Sequence, residues 1–232
     1  MKRIGHKGAD AIVAGNTLES FRAAVELGVD MIEFDVLPLR EGGLVIAHDR
    51  VDASKRPTLS LADCLDAFGA APLDRVELDC DLKLPGGERE LAAALRERGL
   101  LDRAMVSTME LSSLAALRRA DRGLRLGWTY PKVTRDWNSR RWARPAVVAA
   151  LRMMRRRLPR IAARALPRLE VQAMWVYWPL VSRRLLDVAR SAEIEVHAWT
   201  VDDPTRIRAL RGLGVDGICS NDPRLFVNLE SA

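Results

Sequence analysis

The chain has 232 residues, with 37 Lys and Arg against 31 Asp and Glu, three His and three Cys, and 48% of it is hydrophobic. That balance excludes a disordered chain, and the length suits one domain with a full core spanning residues 1–232. No apolar run is long enough to cross a bilayer, the start MKRIGHKGAD lacks an apolar secretory segment, and Cys64, Cys80 and Cys219 lack ligand spacing, so a cytoplasmic protein with reduced, buried thiols is expected.

Short apolar runs alternate with helical patterns along the chain. Residues 4–6 read as a strand, and 16–28 as a helix carrying Leu18, Phe21, Ala24 and Val25, stopped by Gly28. Residues 31–36 and 43–48 read as strands joined by the turn-like REGG, a candidate hairpin. Residues 60–68 read as a helix with Ser60 as N-cap. Then follow strand 76–83, helix 88–99, strand 104–108, helix 110–120, strand 124–129, and a basic segment with helical spacing. Strand 171–176, helix 182–192, strand 195–201, helix 204–213 and strand 216–220 close the series. Repeated β-α units predict a parallel sheet covered by helices. Nine strand candidates, one of them a hairpin excursion, fit a (β/α)8 barrel. A doubly wound open sheet is the alternative, disfavoured because no G-x-G-x-x-G follows a strand.

In such barrels the chemistry sits at the C-terminal ends of the strands. Those ends carry His6 and Lys7, Glu33 and Asp35, His48 and Asp49, and Asp81 and Lys83. Period-two alternation puts Glu33 and Asp35 on one face, and Glu77, Asp79, Asp81 and Lys83 on one face. Ionisable groups are costly in a buried strand unless paired or bound to a metal. Converging carboxylates suit Mg²⁺ or Ca²⁺, two His suit acid and base work near neutral pH, and Lys7 and Lys83 suit an anionic group such as phosphate. Taken singly, a strand-end acid more often caps a helix or pairs with a nearby base. The concentration of two of the three His with acids at matching ends favours a site. His197 reads as structural.

The ordered set GHKGAD (5–10), NTLESF (16–21), GVDMIEFDV (28–36), LVIAHD (44–49), LDCDLK (78–83), VST (106–108), AWTVDD (198–203) and GVDGICSNDP (214–223) resembles the glycerophosphodiester phosphodiesterase family across nearly the whole chain. The resemblance implies a TIM barrel of the phospholipase-C-like phosphodiesterase type. It also implies divalent-cation-dependent hydrolysis of glycerophosphodiesters to sn-glycerol 3-phosphate and an alcohol. It assigns His6 and His48 to acid–base catalysis, Glu33, Asp35 and Asp81 to the Mg²⁺ or Ca²⁺, and Lys7, Lys83 and Trp199 to the substrate. Two alternatives are a lysophospholipase-D-like cut of membrane-held lysophospholipids, and an impaired barrel that binds phospholipid surfaces. Lys7 stands where the family has Arg, and Gly15 where it has a Glu ligand, a position Asp10 or water could fill. The stretch from His48 to Pro57 is too short for the family's usual insertion domain, which predicts a more open mouth.

Charge is distributed unevenly. Residues 132–168 hold Lys132 and eleven Arg against Asp136, a net +11 that leaves −5 for the remainder of a +6 chain. Val147, Leu151, Met154, Leu158, Ile161 and Ala165 form an apolar helical stripe, with Pro159 expected to break the helix in two. An ordinary outer barrel helix explains the stripe. An anionic membrane surface, with Trp137 and Trp142 as interfacial anchors, explains the arginines and predicts a membrane-peripheral location. No nucleic-acid motif is present, so no nucleic acid partner is expected.

Overall fold

The computed structural model describes residues 1–132 and 144–227. Trp137 and Trp142 therefore lie outside the described residues. Eight parallel strands close on themselves: β1 (Lys2–His6), β2 (Met31–Pro38), β5 (Glu77–Leu82), β6 (Ala104–Thr108), β7 (Arg125–Tyr130), β8 (Ala173–Tyr177), β9 (Glu195–Trp199) and β10 (Gly217–Ser220). β1 pairs with both β2 and β10, which makes the sheet a barrel. The hairpin expected after β2 is present: β3 (Leu44–Ile46) runs antiparallel to β2 through Val36↔Ile46. A two-residue strand, β4 (Leu59–Ser60), adds to β3; it is too short to produce a periodic signal.

Helices α1 (Leu18–Glu26), α3 (Leu61–Phe68), α4 (Glu88–Glu97), α5 (Leu111–Ala120), α6 (Arg144–Leu169), α7 (Arg183–Ser191) and α8 (Pro204–Leu213) cover the outside, and short α2 (Arg50–Lys55) and α9 (Arg224–Val227) are the other α-helices among the described residues. Their starts follow capping chemistry: the side chains of Thr17, Ser60, Ser182 and Asp203 each accept a backbone N–H three residues on.

Alternation along the strands divides the molecule into two apolar regions. Ile32, Phe34, Val36, Leu78, Cys80 and Leu82 face the helices and join Phe21 and Phe68 in the larger core. Ile4, Met31, Met105, Ala173, Trp175 and Cys219 fill the barrel interior. Below them Lys2, Glu77, Arg125 and Glu195, from β1, β5, β7 and β9, form a ring of alternating sign. These are alternate barrel strands, so the ring is one interior layer at the N-terminal end. Glu77 thus shares a face with Asp79 and Asp81 yet sits at the opposite end of the barrel. His197 is fully buried, edge-on to Trp175, with Nε2 3.1 Å from Glu195 Oε2, a structural role as expected.

Two expectations for the basic segment are corrected. α6 is continuous over 26 residues, with Pro159 and Pro167 inside it. Leu158, Ala162 and Leu166 are buried against the barrel, and this packing offsets the backbone hydrogen bond that Pro159 cannot make. Ile161 is 39% exposed rather than on the stripe. The buried face advances by four residues from Leu158 to Ala162 and Leu166, which turns Ile161 outward.

Candidate active site

One cavity of about 760 Å³ opens at the C-terminal ends of the strands. His6, Glu33, His48, Asp81, Lys83 and Trp199, all expected site residues, line it together. β1 delivers His6, β2 delivers Glu33 and Asp35, and β5 delivers Asp81 and leads into Lys83. The register Asp35↔Asp81 sets the two aspartates side by side on neighbouring strands.

The β1–α1 turn is locally constrained. Lys7 has φ 51° and Gly8 φ 88°. A Cβ on Gly8 would lie 2.6 Å from the Ser20 backbone, so only glycine fits. This turn lets Lys7 N–H donate to Glu33 Oε2 at 3.1 Å and Ser20 Oγ donate to the Lys7 carbonyl at 2.9 Å.

Glu33, Asp35 and Asp81 each place an oxygen within 4.8 Å of the others. All three are buried, and Asp81 Oδ1 has no hydrogen-bond partner. Lys83 Nζ lies 2.5 Å from Asp35 Oδ1 and 2.6 Å from Asp81 Oδ2. Burial, and then the Asp35 charge, push the Glu33 carboxyl up to about 8. Burial would raise Asp35 as well, but Lys83 and Lys7 outweigh it and hold it well below its ordinary value. Burial opposes the charge on Lys83, and the Asp35 and Asp81 carboxylates override it and raise its pKa. An all-oxygen donor set with a partnerless buried oxygen and a carboxyl pushed toward neutrality is short of positive charge. It fits a hard divalent cation.

The two histidines differ in setting. His6 is mostly buried; its Nδ1 is 2.6 Å from Asn221 Oδ1, and its Nε2 is 3.8 Å from Glu33 Oε2. Asn221 is itself fixed: its Nδ2 donates to Asp202 Oδ2 at 2.6 Å and its backbone N–H to Asp202 Oδ1 at 2.8 Å. With its amide nitrogen engaged by Asp202, Asn221 offers its oxygen to His6. That assigns the proton to Nδ1 and leaves Nε2 free to take or give one. Desolvation lowers the His6 pKa. His48 stands at the exposed rim, its Nδ1 3.1 Å from Asp49 Oδ2, and its backbone N–H donates to Asp52 Oδ2 at 3.1 Å. Asp49 caps α2, so the short helix after the hairpin positions His48.

Lys7 does not line the cavity; its Nζ sits 3.7 Å from Asp35 Oδ2. Asp10 does not join the three carboxylates either. Its Oδ1 accepts the Gly15 N–H at 2.8 Å, and a Cβ at Gly15 would lie 2.4 Å from that oxygen. Lys83 lines the cavity with its charge already shared by Asp35 and Asp81. Trp199 lines it beside Tyr177, at 5.6 Å between rings, and its Nε1 is buried without a partner. Leu37, Val51, Leu84 and Met109 make one wall apolar.

Three supporting residues lie inside the quoted motifs but were given no role from the sequence. Asn16 donates from Nδ2 to Asp35 Oδ2 at 2.8 Å and accepts the Asp35 backbone N–H at 3.1 Å. Asn221 and Asp202 hold His6 as described. A strand-end amide opposite a predicted catalytic group is the signal that could have found Asn221, once the barrel closes β10 onto β1.

The sequence profile described as the Glycerophosphoryl diester phosphodiesterase family matches residues 6–68 and 70–225. A "Glycerophosphodiester phosphodiesterase" of Caldanaerobacter subterraneus subsp. tengcongensis is 26% identical over 259 residues, covering 97% of this chain and 96% of that protein. Among solved structures, a glycerophosphodiester phosphodiesterase from Parabacteroides distasonis superposes with a TM-score of 0.74 at 18% identity, covering 99% of this chain and 97% of that one. An Oleispira antarctica phosphodiesterase in complex with the product sn-glycerol-3-phosphate superposes at 0.72 and 18% identity, covering 100% and 97%. The barrel, its ordered motifs and the profile match over most of its length place this chain in the glycerophosphoryl diester phosphodiesterase family.

Proposed function

We propose that the chain, as a single barrel domain over residues 1–232, hydrolyses glycerophosphodiesters to sn-glycerol 3-phosphate and an alcohol. The observation that carries this reading is the convergence of His6, His48, Glu33 and Asp81 on one cavity, with Asp35 buried beside them and within 4.8 Å of both carboxylates. Glu33, Asp35 and Asp81 would hold a divalent cation, Mg²⁺ or Ca²⁺. When bound, it neutralises phosphoryl oxygens and offsets charge that develops on them.

The chain's own groups supply the rest. His6 and His48 both line the cavity, one deprotonating the attacking oxygen and the other protonating the leaving alkoxide. Asn221 and Asp202 keep His6 in the tautomer that exposes Nε2. Lys83 shares its charge with the carboxylates and faces the phosphoryl group from the cavity wall, and Lys7 supports the same cluster from behind Asp35. Trp199 offers its ring to the substrate from the cavity wall. The apolar wall of Leu37, Val51, Leu84 and Met109 borders the cavity and suits an alcohol with hydrocarbon character. It favours lysophospholipid turnover as a second reading.

Release of sn-glycerol 3-phosphate from glycerophosphocholine, and of lysophosphatidic acid from lysophosphatidylcholine, separates the two readings. Turnover of neither would leave the impaired, lipid-binding barrel.

A further inference from the structure

α6 differs from every neighbouring helix in its charge. Its 26 residues contain eight arginines and no acid, in a chain with 31 acids over 232 residues. Arg152, Arg156, Arg160, Arg164 and Arg168 recur every fourth residue, so each sits about 6 Å along the axis from the last and the five make a ridge of about 24 Å. Like charges at this spacing repel along a helix.

Other outer arginines have found acids: Arg96 pairs with Asp121, Arg98 with Asp66 and Arg118 with Glu170. Among the described residues, Arg152, Arg156, Arg157, Arg160, Arg164 and Arg168 make no side-chain hydrogen bond or ion pair. A merely solvated face would gain from Glu at these spacings. α5 and α8 also lack acids, so it is the length and the regular four-residue spacing of the arginine ridge, not the absence of acids alone, that suits an external polyanion.

The packing fixes where the ridge points. Leu158, Ala162 and Leu166 are buried against the barrel, so Arg156, Arg160 and Arg164 face away from it. Met153, 48% exposed, and Ile161, 39% exposed, lie among them. Arg157, Arg160, Arg164 and Arg168 border a shallow groove floored by Ile161, Ala165 and Leu169.

We propose that this outer face of α6 docks the protein on an anionic lipid surface. Apolar side chains interleaved with arginines on one flat face suit headgroup phosphates above an acyl boundary. Nucleic acid is the competing polyanion; no recognition motif accompanies the ridge, and the apolar Met153 and Ile161 among the arginines favour lipid. α6 follows β7, so it starts at the mouth end and runs down the flank. Docking along the flank leaves the mouth open beside the surface, within reach of phosphodiesters released from it. That last consequence rests on the proposed activity; the docking itself does not.

The test is flotation of the full chain with phosphatidylcholine vesicles and with phosphatidylcholine–phosphatidylserine vesicles, across salt concentrations. Binding is expected to the anionic vesicles alone and to weaken as salt rises. Reversing Arg156→Glu, Arg160→Glu and Arg164→Glu together is expected to weaken it by at least about a hundredfold. Reversing Arg89→Glu, Arg119→Glu and Arg208→Glu, an equal charge change on other exposed helix faces, is expected to retain most of it. Both triple variants are to keep the wild-type circular dichroism spectrum and wild-type turnover of soluble glycerophosphocholine. If the first triple misfolds, Met153→Ser with Ile161→Ser reads the apolar part of the same face by its weaker flotation. Equal binding to neutral vesicles, no binding, equal loss in both triples, or displacement from anionic vesicles by duplex DNA would each overturn the proposal.

Discussion

Lys83→Met tests the electrostatic reading of the site most fully. The ammonium lies 2.5 Å from Asp35 Oδ1 and 2.6 Å from Asp81 Oδ2, and Asp35 is fully buried. Removing one partner of a buried ion pair costs about 3–5 kcal/mol, because a charge is left uncompensated. Asp35 would retain the Asn16 Nδ2 hydrogen bond at 2.8 Å and Lys7 Nζ at 3.7 Å, which argues for the lower end. The expected loss is therefore about 3 kcal/mol, more than a hundredfold in the unfolding equilibrium. Urea denaturation in chelator, followed by tryptophan fluorescence, measures it. Adding Ca²⁺ or Mg²⁺ should restore part of the loss, since a cation on the same oxygens binds the folded state alone. Unfolding midpoints within about 1 kcal/mol of wild type in chelator would refute the reasoning, because exposed pairs contribute no more than that.

Two further outcomes follow from the same geometry. Asn221→Ala removes the group that orients His6, so kcat should fall by about ten- to a hundredfold with KM little changed; a rise in KM at unchanged kcat would place Asn221 on the substrate instead. At the other end of the barrel, the His197 hydrogen bond holds the Glu195 carboxyl down to about 2 against partial burial. A depressed carboxyl stabilises the fold above its unfolded value of about 4.5, and the contribution fades as pH falls toward about 2. Glu195 is partly exposed, so screening limits the effect to about 1 kcal/mol. Wild type should exceed Glu195→Gln in urea midpoint at pH 6, and that advantage should shrink from about pH 4.5 downward and vanish only as pH approaches about 2; a constant gap between pH 6 and pH 3 would contradict the assignment.

The barrel was legible because buried parallel strands and amphipathic helices impose different periods, and these alternate through the chain. Strand ends then located His6, Glu33, Asp35, His48, Asp81 and Lys83, since parallel barrels collect their loops at one end. Periodicity gives a residue's face but not its height, which is why Glu77 grouped with Asp79 and Asp81 in sequence yet belongs to the ring with Lys2 and Arg125. It also gives no account of groups joined by barrel closure. His6 and Asn221 are 215 residues apart and meet only because β10 pairs with β1. Proline rules predicted a break in α6, but they describe a helix in solvent, and Leu158 and Ala162 are packed on the barrel. Lys7 read as a phosphate ligand from its place after His6; the positive φ at Lys7 instead accompanies a turn that aims its ammonium at Asp35.

The central claim is that His6, His48 and a cation on Glu33, Asp35 and Asp81 together hydrolyse a phosphodiester. Its most direct test is turnover of glycerophosphocholine by wild type, His6→Ala and His48→Ala, each with added Mg²⁺ or Ca²⁺ and with chelator. Cation-dependent release of sn-glycerol 3-phosphate by wild type, abolished by chelator and reduced at least about a hundredfold in each variant, is the predicted result. Turnover that survives chelation, or that either alanine variant retains in full, would contradict it.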